Sequence, residues 1–84
     1  MYSIKIKPSA LKELKRLGPR IRARVKNSIE ILKDDPRPAG ARKLTGKENL
    51  YRIRVGDYRV LYGVEDEAKA VTIIAVRKRD VAYR

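Results

Sequence analysis

Apolar and polar residues alternate at the start of the chain, where Tyr2, Ile4 and Ile6 are separated by Ser3, Lys5 and Lys7. This is the period-two pattern of a half-buried strand. Pro8 and Ser9 follow, and either can open a helix. Leu11, Leu14 and Leu17 then fall on one helical stripe, with Gly18 in the place of a C-terminal cap. Pro19 opens a second helix, whose apolar positions Ile21, Val25, Ser28/Ile29 and Leu32 keep the 3.6-residue period. Arg20, Arg22, Arg24, Lys26 and Lys33 project elsewhere. Asp34-Asp35-Pro36 ends this segment, and the pair predicts a helical hairpin.

Residues 36–47 contain Pro36, Pro38, Gly40 and Gly46 and predict a loop. Three strand-like runs come next, at 50–55, 58–64 and 70–77. Gly56-Asp57 joins the first two with the two-residue spacing of a tight hairpin. Glu65-Asp66-Glu67-Ala68-Lys69 separates the second from the third. Residues 71–76 are apolar on both phases, as expected of a central strand covered on both faces. The predicted order is β-α-α-β-β-β, a single α+β domain over residues 1–84. It consists of an N-terminal strand, a helical hairpin and a three-stranded antiparallel meander, with the helices packed on one face of the sheet.

The hairpin has a consequence for charge. A two-residue turn at Gly56-Asp57 sets Val55 opposite Tyr58, Arg54 opposite Arg59, Ile53 opposite Val60 and Arg52 opposite Leu61. Because i, i+2 residues and cross-strand partners share a face, Arg52, Arg54 and Arg59 crowd one side. Ile53, Val55, Tyr58, Val60 and Tyr62 take the other. Like charges set directly opposite one another destabilise a sheet by roughly a few tenths to 1 kcal/mol. A phosphate backbone is a ligand that offsets such a cost. A second basic cluster, Arg77-Lys78-Arg79 followed by Tyr83-Arg84, leaves the end of the last strand. Lys43, close to Gly46, is a further candidate cation.

Composition sharpens this picture. The 84 residues include 22 Lys and Arg against 10 Asp and Glu, a formal net charge of +12, with 43% hydrophobic residues. That hydrophobic content sets the chain apart from a disordered basic tail, and the charge points to nucleic acid, an anionic membrane or an acidic partner. With no Cys, neither disulfides nor thiolate metal sites can form, and with no His the usual acid–base catalyst near neutral pH is missing. Any chemistry therefore falls to Tyr, Lys, Arg or carboxylates. Glu65-Asp66-Glu67 predicts a plain solvated turn rather than a cation site. No apolar run approaches a transmembrane helix, and there is no signal-peptide core near Met1. A cytoplasmic protein without a membrane partner is expected.

Four stretches carry a resemblance along nearly the whole chain. They are Ala10-Leu11-Lys12-Glu13-Leu14 with Leu17, then Lys43-Leu44-x-Gly46, then the run from Leu50 through Tyr51-Arg52-Ile53-Arg54-Val55-Gly56-Asp57-Tyr58-Arg59 to Tyr62, and finally Val76-x-x-Arg79-x-x-x-Tyr83-Arg84. This layout resembles the RelE/ParE toxin superfamily. The resemblance implies a type II toxin made beside an acidic, RelB-like antitoxin that wraps it in a hetero-oligomer. RelE-like members cut mRNA in the ribosomal decoding site without metal or cofactor. Carried over by motif, the cutting residues are Arg52, Arg54, Arg59, Arg79 and Tyr83; Lys43 and the basic C-terminal cluster residues Arg77, Lys78 and Arg84 are expected as RNA contacts from their charge. The chain departs from the family pattern in three ways. Arg52 and Arg54 stand where the well-known bacterial member has lysines, Arg77-Lys78 stands where many relatives have Gly-His, and a C-terminal helix found in some relatives is lacking. The alternatives are a ParE-like protein that inhibits DNA gyrase by binding alone, and an RNA-binding module without activity.

Overall fold

The computed structural model describes residues 1–44 and 46–78. Its strands are β1 (Ser3–Ile6), β2 (Arg42–Lys43), β3 (Leu50–Val55), β4 (Tyr58–Glu65) and β5 (Ala70–Lys78), and its helices are α1 (Pro8–Lys15) and α2 (Pro19–Ile31). The five strands form one sheet in the order β1-β5-β4-β3-β2. This corrects the expected arrangement in two respects. β1 joins the sheet parallel to β5, with Ser3 opposite Ala70 and Ile6 opposite Ile73. Within the expected loop, Arg42 and Lys43 pair with Arg52 and Tyr51 as a fifth strand. A two-residue edge strand is too short to show a period, and its side chains are charged and exposed as edge strands tend to be.

The helices follow the pattern of burial. In α1 the buried residues are Ala10 and Leu14, continued by Leu17 beyond its end. The i, i+4, i+7 spacing of these three stays on one face, whereas the expected i, i+3, i+6 stripe drifts around the helix. Leu11 is accordingly left at the rim, 39% exposed. Gly18 does not cap α1 in a left-handed conformation. It is extended (φ −60°, ψ 155°) and precedes α2, because a residue before proline is driven out of the helical region. The end of α1 is instead closed from outside. Arg22 Nη1 donates to the carbonyl oxygens of Lys15 at 3.2 Å and Leu17 at 3.4 Å, satisfying acceptors that the helix leaves free.

Val25, Ile29 and Leu32 of the second helical segment meet Ile53, Val55, Val60, Tyr62, Val64, Val71, Ile73 and Val76 from the sheet. At the Gly56-Asp57 turn only Gly56 has positive φ (59°), as at the first position of a type II′ turn. A side chain there would meet Ile21 and Arg24 of α2, each at 3.3 Å. In β5 the apolar residues on both phases have a specific origin. Leu61 pairs with Ala75 and Tyr62 with Ile73, so Ile74 is an extra, bulged residue. The bulge resets the phase, and Val71, Ile73 and Val76 all turn toward the helices. On the other face Ala75 is also buried.

One end of the sheet is tied by a polar clamp. Tyr62 is fully buried, and its hydroxyl donates to the Pro36 carbonyl at 2.8 Å. Its ring stacks on Tyr51 with centroids 5.8 Å apart, and Arg37 lies over Tyr51 at 5.2 Å while donating to its hydroxyl. Arg37 also binds both carboxylate oxygens of Asp66, which accepts a 2.7 Å bond from the Tyr2 hydroxyl. The acidic turn expected to be merely solvated thus anchors the loop after α2. Among the described residues no helix is long and apolar enough to cross a membrane.

Candidate nucleic-acid interface

The register of the β3–β4 hairpin is the one the turn predicts: Arg54 faces Arg59, Ile53 faces Val60 and Arg52 faces Leu61. Since Ile53, Val55, Val60 and Tyr62 belong to the core under the helices, the interleaved arginines lie on the opposite face. β5 extends the pattern, with Arg77 paired to Arg59. A row Arg54–Arg59–Arg77 therefore crosses three adjacent strands. Beside it, the pairing of Arg42 with Arg52 starts a second row that continues through Leu61 and Ala75. Five arginines occupy one face by register. Their environments differ: Arg59 is only 7% exposed, Arg52 is half-buried, and Arg42, Arg54 and Arg77 are exposed.

Arg42 was not legible as a member of this array, because its membership depends on the two-residue strand β2. Together with Arg52 and Arg54 it lines a hollow of about 340 Å³, which Ala39, Gly40 and Ile53 line as well. Guanidiniums are planar, permanently charged and able to bind phosphate through two parallel N–H donors. Such an array, with Arg59 nearly enclosed by protein, is chemically suited to an anion.

The other expected contacts are distributed differently. Lys43 pairs with Tyr51, whose neighbour Tyr62 lies in the core, so the pleat turns it to the helix side. Lys78 pairs with Tyr58 and is turned the same way, lining a second hollow with Glu13, Arg16, Tyr58 and Arg77. Neither lysine shares the face of the arginines. Arg77 has a partner that sequence reasoning missed: its Nε donates to Glu13 of α1 at 3.1 Å. Glu13 stands in the first of the four resembling stretches, but nothing local there names Arg77 as its partner. Arg79, Tyr83 and Arg84 lie outside the described residues.

The displaced pKa values belong to the clamp at the far end of the sheet. Hydrogen bonds from Arg37 and then Tyr2 hold Asp66 down at about 2. Burial is the chief cause that pushes Tyr62 up to about 12, and the bond to Asp66 raises Tyr2. The clamp fixes the framework, and the arginine face supplies charge.

Comparison with known proteins agrees with these features. Residues 4–83 match a family model described as the ParE toxin of type II toxin–antitoxin systems. The Escherichia coli mRNA interferase toxin RelE is 35% identical, over 94% of this chain and 84% of its own length. A Mycobacterium tuberculosis protein named toxin RelE is 33% identical, over 99% and 87% respectively. Among solved structures, the archaeal RelE–RelB complex from Pyrococcus horikoshii contains a chain 34% identical to this one, with a TM-score of 0.85, covering 96% of this chain and 98% of that one. With a match that runs almost end to end and relatives of the same fold at this identity, the chain belongs to the RelE/ParE superfamily of toxins from type II toxin–antitoxin systems.

Proposed function

We propose that the protein is an endoribonuclease that cuts mRNA on the ribosome by attack of a 2′-hydroxyl on the adjacent phosphate. The observation that carries this reading is the Arg54–Arg59–Arg77 row with Arg52 beside it, a density of fixed positive charge suited to a phosphate that gains charge in the transition state. Cleavage of this kind needs the 2′-hydroxyl deprotonated, the phosphate neutralised and the leaving 5′-oxygen protonated. Arg52, Arg54, Arg59 and Arg79 serve the second task. They serve the first poorly, since an arginine with pKa above about 12 is almost never neutral near pH 7. Tyr83 is the proposed base, its phenolate favoured by neighbouring guanidiniums, and water supplies the proton taken up by the leaving 5′-oxygen. Lys43 and Lys78, the other candidate bases, are turned to the helix side. The ribosome aligns the strand for in-line attack, so no metal or cofactor enters the scheme.

An acidic RelB-like antitoxin is the proposed neutralising partner, in a hetero-oligomer that covers the arginine face. RelE–RelB complexes are known for the Pyrococcus horikoshii and E. coli relatives. The test is primer extension on programmed ribosomes incubated with the purified protein. Cleavage within the decoding site is expected, and intact mRNA where E. coli RelE cuts would refute the proposal. A second reading, inhibition of DNA gyrase without catalysis, is favoured by the ParE description of the matching family. A protein that blocks supercoiling and leaves ribosomal mRNA whole would establish it instead.

A further inference from the structure

β1 ends at Ile6, opposite Ile73, while β5 runs on to Lys78. Past Ile73, the outer edge of β5 has no strand beside it among the described residues, and α1 packs against β5 there. Glu13 of α1 does what a neighbouring strand would do. Its Oε1 accepts the Val76 N–H at 2.9 Å, and its Oε2 accepts the Nε–H of Arg77 at 3.1 Å. The first bond satisfies a strand N–H that would otherwise lack a protein partner. The second seizes Arg77, the outermost member of the three-strand arginine row, by the inner edge of its fork.

That grip is selective. A guanidinium carries its donors in a rigid plane, so a carboxylate holding Nε fixes the plane and leaves the Nη donors for a second acceptor. Side-chain exposure is 28% for Glu13 and 47% for Arg77. The carboxylate is thus the more sheltered partner and the cation the more open one. A partly exposed ion pair contributes little to stability, but it removes rotamer freedom from a long side chain before a ligand arrives.

We propose that Glu13 is a positioning residue for the arginine array. It pins the free end of β5 and presents the Nη edge of Arg77 to a backbone phosphate of single-stranded RNA that flanks the cleaved bond. This rests on the RNA-cutting function proposed above, yet the two fail in different experiments. The test is a double-mutant cycle on binding of a fluorescent single-stranded RNA, made uncleavable by 2′-deoxy substitution, with wild type, Glu13→Gln, Arg77→Ala and the double variant. Glutamine keeps an acceptor for the Val76 N–H and loses the one for Arg77. Removing a negative charge also favours RNA at long range, but that gain is the same in both backgrounds and cancels in the cycle.

Glu13→Gln is expected to be the costlier change when Arg77 is present, with coupling of roughly threefold in affinity, the scale of a partly exposed ion pair. Equal effects of Glu13→Gln in the two backgrounds, or no binding by the wild type, would overturn the proposal. If Glu13→Gln does not fold, Arg77→Lys asks the same question. Lysine keeps the charge but has no plane to orient, so wild-type affinity in that variant would also overturn it. Cleavage is not read in this assay, so a protein that cuts no mRNA leaves the cycle decisive.

Discussion

Asp66 sits on an exposed turn and still accepts three hydrogen bonds, two from Arg37 and one from Tyr2. Its folded pKa of about 2 lies below the ordinary 3.8. The stabilisation from this carboxylate is therefore complete above pH 3.8 and is lost as pH falls through about 2. The difference in melting temperature between wild type and Asp66→Asn should shrink across that window, and a constant difference would show that the clamp is not titrating. Tyr62→Phe removes the donor to a buried carbonyl, at a cost of about 1–3 kcal/mol by denaturant unfolding. At the proposed site, Tyr83→Phe should slow single-turnover cleavage and abolish the rise of rate with pH, while ribosome binding stays near wild type. A rate unchanged by that substitution would exclude the phenolate. The arginine trio was legible because the pleat follows directly from a two-residue turn. The partners of Asp66 were not, since Arg37 and Tyr2 are far from it along the chain and meet it only through the fold.

Among the elements, Gly56 and Gly18 make opposite demands. Gly56 combines positive φ with a close approach to Ile21 and Arg24, so Gly56→Ala should destabilise by about 1–2 kcal/mol. Gly18 is extended, with nothing within 4 Å of a would-be Cβ. Gly18→Ala should therefore be neutral to within about 0.5 kcal/mol, where a left-handed cap would have lost about 1–2 kcal/mol. Urea unfolding of both variants checks the pair together. The same contrast explains where the sequence misled. Leu11, Leu14 and Leu17 with Gly18 look like a stripe and a stop, but Pro19 sets the conformation of Gly18 and the buried stripe begins at Ala10. In β5 the apolar run has two origins, the bulged Ile74 that resets the phase and the buried Ala70 and Ala75 on the face away from the helices. The second helix was readable in detail because Val25, Ile29 and Leu32 keep one period over about two turns.

For the molecule as a whole, a formal charge of +12 governs encounters. Association with an acidic antitoxin should be fast at low ionic strength and slow steeply as salt rises. Stopped-flow mixing measures this, and an on-rate indifferent to salt would remove the electrostatic account of the partner. The α+β class and the helical hairpin followed from periodicity. The parallel place of β1 beside β5 did not, because nothing local in Ser3–Ile6 names a partner strand so distant along the chain.

That distant pairing governs how the molecule assembles. β1 waits through the synthesis of both helices and three strands before β5 exists to receive it, and such non-local closure is slow compared with forming a helix or a hairpin. Until β5 enters, β4 has an open edge and the arginine row stops at Arg59. The complete arginine face, the proposed RNA site, is thus among the last things to form. In refolding from denaturant, recovery of RNA affinity should lag behind recovery of helical signal, so a nascent copy still threading out of a ribosome lacks the full arginine row until its last strand has docked.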